Sequence, residues 1–214
     1  MELIRQIQDN GIVAVIRGAK EENILEIAKA LSDGGVKTLE ITVETPKVLS
    51  LIERISDELP EDVIVGAGTV LDAETARAAI LAGAKFIFSP TVDTEMIRMT
   101  KRYGVVSIPG AFTPTEILTA YEHGGDIIKV FPASVLGPNY LKDVHGPLPH
   151  IPLMPTGGVD LDNVAEYIRK GAVAVGVGSS LVNTKALKNE NDLNRLREKA
   201  AQFVAAVKKA REQN

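Results

Sequence analysis

Lys129 lies in Ile127-Ile128-Lys129-Val130-Phe131-Pro132, an apolar run in which an ionised ammonium facing a protein interior would lose its water. An amine in such a setting has a lowered pKa and becomes a nucleophile for a ketone. Moving a lysine from about 10.4 to about 7 costs roughly 4.6 kcal/mol at about 1.36 kcal/mol per pKa unit, which burial and a nearby cation such as Arg17 would supply. The spacing equally allows the side chain to reach out of the strand end into water. Glu40, in Thr38-Leu39-Glu40-Ile41-Thr42, also has apolar neighbours. It reads either as the partner of a core cation, Lys129 among the candidates, or as a general acid and base moving protons among carbinolamine, imine and substrate hydroxyl.

Two glycine-rich turns suggest where an anion would be held. Pro155-Thr156-Gly157-Gly158 and Gly176-Val177-Gly178-Ser179-Ser180 each follow an apolar run and precede helical sequence. Glycine lets backbone approach a ligand closely, and N–H groups at a helix start bind anions, so the pair reads as a phosphate cradle. One such turn alone is common after any strand. Arg17 follows another apolar run and is suited either to a carboxylate or phosphate or to a rim salt bridge. Thr69, in Gly66-Ala67-Gly68-Thr69, reads as a turn whose hydroxyl and backbone meet a carboxylate, or as a plain helix start. Phe131 of the lysine run joins the candidate substrate-binding residues. His123, His145 and His150 lack paired ligand spacing and read as structural or solvent-facing, so no metal is expected.

These residues need a scaffold that brings distant segments together, and the chain alternates short apolar runs with helix-type segments throughout. The candidate strands are Ile12–Ile16, Thr38–Thr42, Val63–Val65, Phe86–Ser89, Val105–Ile108, Ile127–Phe131, Leu153–Met154 and Val173–Val177, eight in all. Continuous apolar runs suit parallel strands covered by helices. Thr113-Pro114-Thr115-Glu116 has the makings of a capping box, and Thr45-Pro46 repeats its opening. Glycines at Gly34-Gly35, Gly83, Gly104, Gly124-Gly125 and Gly171 suit left-handed helix ends. Leu193, Leu196, Ala200, Phe203, Val204 and Val207 recur at helical spacing in a closing helix. Eight parallel strands with short crossovers predict an α/β fold, a (β/α)8 TIM barrel forming a single domain over residues 1–214, with a short N-terminal helix. Its active site would lie at the strand C-termini, where Arg17, Glu40, Thr69, Pro90, Lys129, Thr156, Gly157 and Gly178 fall.

At 214 residues, with 45% hydrophobic and 24% charged residues, the composition is that of a folded globular chain. A net charge of −4 offers no basic footprint for nucleic acid or an anionic membrane. The absence of cysteine excludes disulfides, thiolate metal sites and a cysteine nucleophile. The first residues, MELIRQIQDNGIVAVIRG, contain neither a signal peptide nor a membrane span, so a cytoplasmic protein is expected. The residues alone leave three classes open: a lysine-dependent lyase, a phosphosugar isomerase or epimerase working by proton transfer, and a non-catalytic oligomeric scaffold.

In order along the chain, VAVIR, GGVKTLEIT, GAGTVL, FIFSP, IPGAFTPTE, IKVFP, PTGGV and VGVGSSL resemble the family of 2-keto-3-deoxy-6-phosphogluconate (KDPG) aldolases, which includes 4-hydroxy-2-oxoglutarate (KHG) aldolases. The resemblance covers nearly the whole chain. It implies a metal-independent, cofactor-free aldolase that forms a Schiff base, with a small keto-acid substrate and pyruvate as a product. It implies Lys129 as the Schiff-base former and Glu40 as the proton shuttle. By the same resemblance Thr69 and Thr156 bind the carboxylate, Arg17 and Pro90 face substrate, and Gly157, Gly158, Gly178 and Ser179 hold phosphate. Glu44 departs from the pattern, since some members carry an arginine there. A homotrimer is also implied.

Overall fold

The structure, a computed structural model, describes residues 2–213; Met1 and Asn214, the ends of the predicted domain span, lie outside them. The strands are β1 (Ile12–Ile16), β2 (Thr38–Thr42), β3 (Ile64–Gly68), β4 (Phe86–Phe88), β5 (Val106–Ile108), β6 (Gly110–Ala111), β7 (Ile128–Val130), β8 (Leu153–Pro155) and β9 (Val175–Val177). Every strand pairing among the described residues is parallel, in the orders β5-β4-β3-β2-β1-β9 and β6-β7-β8. Isolated bridges Leu153↔Ala172 and Thr156↔Gly176 link the second sheet to the segment of β9. The fold is therefore α/β on parallel sheets, and the expected eight-strand ladder is divided. Pro109, which has no N–H to give, interrupts the fifth run and leaves β6 beyond it; its carbonyl accepts from Lys129 N at 2.9 Å.

The third strand departs most from expectation. The sequence predicts Val63–Val65 with a turn at Gly66-Ala67-Gly68, whereas β3 continues through both glycines. The reason lies opposite them. A methyl group on Gly66 would strike the Phe86 ring, and one on Gly68 would overlap the Glu40 carboxylate. Glycine here leaves room for larger side chains from the neighbouring strands.

The helices are α1 (Glu2–Asn10), α2 (Ile24–Asp33), α3 (Val48–Glu58), α4 (Ala73–Leu81), α5 (Thr94–Arg102), α6 (Pro114–Glu122), α7 (Ala133–Leu136), α8 (Asn139–His145), α9 (Val164–Arg169) and α10 (Glu190–Glu212). The predicted capping box opens α6, with the Thr113 hydroxyl accepting from Glu116 N and the Glu116 carboxylate accepting from Thr113 N. Thr45-Pro46 does not repeat it. The helix α3 begins at Val48, and the Thr45 hydroxyl instead accepts from Gly18 N at 3.2 Å, bracing the loop after β1. Gly35, Gly83, Gly104, Gly124 and Gly171 all adopt positive φ, as expected. At each, paired bonds such as Ala84 N to Ala79 O and Gly83 N to Ile80 O close the helix and turn the chain into the next strand.

Alternation along the strands sorts the interior into two clusters. Val13, Ile64, Phe86, Phe88, Val106, Ile108, Ile127, Met154 and Ala174 cluster together, with Ile7 of α1 in the same group. Ile12, Ala14, Ile16, Leu39, Ile41, Val65, Ile87, Ile128, Val130, Leu153, Val175 and Val177 belong with the helix residues in the other. The odd residues of β1 and even residues of β2 thus share one face, which carries Val15 and Glu40. The closing helix α10 buries Leu196, Ala200, Phe203, Val207 and Ala210, while Leu193 and Val204 are partly covered.

Candidate active site

A cavity of about 410 Å³ opens where these strands end. It is lined by Arg17, Glu40, Thr69, Pro90, Lys129, Phe131, Thr156, Gly157, Gly158, Gly178 and Ser179, so the structure brings together the residues that the sequence assigned to catalysis and substrate binding. The cavity also takes in Ser180 of the second glycine-rich turn, and Val15, Val159 and Asp160, which sequence reading passed over. Its size suits a small organic acid.

Lys129 projects from β7 and is 5% exposed; Glu40 projects from β2 and is 1% exposed. The lysine Nζ lies 4.2 Å from the centroid of Phe88 and 4.6 Å from that of Phe131. Burial pushes the amine down to about 8, against the pull of the Glu40 charge, with Arg17 adding to the decrease. Burial likewise pushes the Glu40 carboxyl up to about 7, against Lys129 and Arg17. The structure thus chooses the buried orientation that sequence left open. Glu40 Oε2 and Thr156 Oγ1 are both enclosed without a hydrogen-bond partner among the described residues. Such groups are costly unless a ligand or water meets them.

Arg17 reaches the cavity mouth, where it is ion-paired to Glu44 and donates from Nη2 to the Thr69 hydroxyl at 3.3 Å. Both readings of Arg17, ligand-facing and rim-paired, therefore describe the same side chain. Thr69 follows β3 with φ of 58°, a left-handed conformation that costs strain in a residue other than glycine. Gly157 and Gly158 also have positive φ and turn the chain over Phe131 and Ser134. The second glycine turn differs from expectation. No helix follows Gly178 directly; its carbonyl accepts from Leu181 N and Val182 N, a single turn, and the next helix, α10, begins only at Glu190.

The histidines lie apart from the cavity. His123 Nδ1 meets Thr119 O, His145 Nε2 meets Ile151 O, and His150 packs edge-on to Tyr121. Among the described residues no three His, Asp or Glu side chains gather as a metal site.

A buried amine of lowered pKa beside a buried carboxyl of raised pKa, at the C-terminal ends of parallel strands, defines an α/β enzyme equipped for covalent carbonyl chemistry. Comparison with known proteins agrees. A family model described as "Aldolase: KDPG and KHG aldolase" matches residues 3–198. The 2-dehydro-3-deoxy-phosphogluconate aldolase of Pseudomonas aeruginosa is 42% identical over 182 residues, covering 85% of this chain and 82% of that protein. The 2-dehydro-3-deoxy-6-phosphogalactonate aldolase of Escherichia coli K12 is 34% identical, covering 93% and 95%. A Legionella pneumophila KDPG aldolase, solved with pyruvate captured at low pH as a covalent carbinolamine intermediate, superposes with a TM-score of 0.86 at 29% identity, covering 94% and 97%. The chain belongs to the KDPG and KHG aldolase family, and its class is that of the lyases.

Proposed function

We propose that this aldolase cleaves 2-keto-3-deoxy-6-phosphogluconate to pyruvate and glyceraldehyde 3-phosphate through a Schiff base on Lys129, with 4-hydroxy-2-oxoglutarate, which yields pyruvate and glyoxylate, as a second substrate. The observation that carries this reading is the Lys129–Glu40 pair within one enclosed cavity. With its pKa pushed down to about 8 by burial, far more of the amine is neutral near pH 7 than in an ordinary lysine. The neutral amine adds to the C2 ketone. Glu40, near pH 7, donates the proton with which water leaves, and the protonated imine becomes the electron sink. Glu40 then takes the C4 hydroxyl proton, directly or through water, as the C3–C4 bond breaks and the aldehyde departs. The proton that Glu40 took from the C4 hydroxyl is returned to C3 of the enamine, and addition of water to the resulting imine releases pyruvate and the free amine.

In this reading Arg17, Thr69 and Thr156 hold the carboxylate, and the unpartnered Thr156 hydroxyl receives a partner when substrate binds. Pro90 and Phe131 wall the carbon chain. Gly157, Gly158, Gly178 and Ser179 offer backbone N–H groups to the distal phosphate. The relatives' names divide between gluconate- and galactonate-derived substrates, so kcat/KM for both epimers decides which is preferred.

Four features complete the proposal. The two sheets are parts of one closed (β/α)8 barrel, supported by the bridges between β8 and the β9 segment and by the division into inner and outer clusters. The chain is one domain. Three copies associate as a trimer, as the family resemblance suggests, and sedimentation velocity measures that. The protein works in the cytoplasm on small metabolites, without nucleic-acid or membrane partners; no described helix is long and apolar enough to cross a membrane.

The test is to incubate the protein with pyruvate and borohydride and to map the adduct. A pyruvate-derived mass on Lys129, lost in Lys129→Ala along with turnover, is the expected result. A fully active Lys129→Ala variant overturns the mechanism.

A further inference from the structure

We infer that Glu44 is a positioning residue for substrate recognition: through its ion pair it holds the Arg17 guanidinium at the cavity mouth, against Thr69, oriented to receive the carboxylate of the keto acid. The inference rests on the proposed aldolase reading, which gives that carboxylate its place. The geometry supplies the rest. Arg17 follows β1, Glu44 lies two residues beyond β2, and Thr69 directly follows β3, so three neighbouring strands deliver the three side chains to one rim. Register makes the alignment, since Val15 is opposite Glu40 and Glu40 is opposite Gly66. Arg17 and Thr69 line the cavity, whereas Glu44 does not. Glu44 therefore acts through its neighbour.

The Arg17 side chain is 60% exposed, and a long side chain that free would sample many rotamers. Two contacts stop it: Nη1 pairs with Glu44, and Nη2 donates to Thr69. A guanidinium has five N–H donors, so three remain for a ligand. The cost of ordering the side chain is thus met before substrate arrives. Glu44 stays ionised for this purpose. Its partial burial works against the charge, but its own backbone N–H, Arg17 and Thr42 together hold its carboxyl below the usual range. Lys47, three residues further on, pairs with Glu21 at 2.9 Å and not with Glu44.

The test is a double-mutant cycle. Pyruvate affinity, read from the concentration dependence of borohydride trapping, and KM and kcat for cleavage are measured for wild type, Glu44→Ala, Glu44→Gln, Arg17→Ala and the Arg17→Ala/Glu44→Ala pair. Thermal melts verify folding. Glu44→Ala should weaken pyruvate binding and raise KM about two- to fivefold, the range for an exposed ion pair, with a smaller change in kcat. Glu44→Gln, which can still accept from Arg17, should recover most of the loss. On the Arg17→Ala background, Glu44→Ala should add nothing. An unchanged KM in Glu44→Ala, a glutamine variant as poor as alanine, or additive losses in the cycle overturns the positioning role. If the wild type itself traps no pyruvate on Lys129, the aldolase mechanism falls and this role with it. Trapping by the wild type with an indifferent Glu44→Ala removes the positioning role alone.

Discussion

Burial pushes the Glu40 carboxyl up to about 7 and the Lys129 amine down to about 8, so the two groups titrate as a coupled pair close to neutrality. In the proposed mechanism imine formation needs one proton on the pair, since the amine must be neutral to attack and the carboxyl protonated to expel water. The kcat/KM profile should therefore be bell-shaped, its limbs belonging to the pair rather than to either residue. Glu40→Gln makes the sign testable. Glu40 charge raises the lysine pKa, so removing it should move the pH midpoint of borohydride trapping below about 8, while turnover falls by about 10²–10⁴-fold. A midpoint that stays or rises would show that Glu40 does not set the amine. Both residues were legible in the sequence because a charge inside an apolar run is anomalous wherever the run folds. The Arg17–Glu44 contact was not, since it joins positions 27 apart and exists only through the register of β1 on β2. Val15 and Val159 look like ordinary core residues in sequence; Val15 reaches the cavity from β1, and Val159 and Asp160 reach it from the segment between β8 and α9.

At the scale of the element, β3 carries the most information about the site. Its two glycines looked like a turn because glycine without a visible neighbour is read as punctuation. The structure gives them the opposite role, extending the strand while yielding space to Phe86 and Glu40. Gly68→Ala should therefore be felt at Glu40. The backbone at Gly68 is not left-handed, so alanine suffers no torsional penalty there, and the effect is steric. Overpacking of this kind costs about 1–3 kcal/mol of stability, and the displaced carboxylate should lower kcat well beyond what the stability loss explains. Denaturant unfolding and single-turnover kinetics on the same samples separate the two. The helix ends behave differently. Each left-handed glycine there answers a local geometric need, so all five could be read directly from the sequence.

For the whole molecule, the two ends of the strands divide chemistry from stability. The C-terminal ends hold the cavity, and the last helix is bonded to the segments that lead into β1 and β9. Arg211, in the final turn of α10, donates from Nη1 to Asp9 O at 2.7 Å and from Nη2 to Val173 O at 2.9 Å, with a further bond to Gln8 O. One planar guanidinium thus joins α10, the end of α1 and the approach to β9. Burial pushes its pKa down against the charge of Asp9, and among the described residues no carboxylate is hydrogen-bonded to it, so the contacts are charge-assisted bonds to carbonyls. Arg211→Ala would leave those carbonyls short of donors, at about 1–3 kcal/mol, or about 2–4 °C in Tm for each kcal/mol lost. Arg211→Lys should restore little, because an ammonium cannot span three diverging acceptors from one point. Neither substitution reaches Lys129, so kcat measured well below Tm should match wild type and the pyruvate adduct should form at the same rate. A drop in kcat without a drop in Tm would mean that the closing helix is coupled to the cavity, and the separation of the two strand ends would have to be given up.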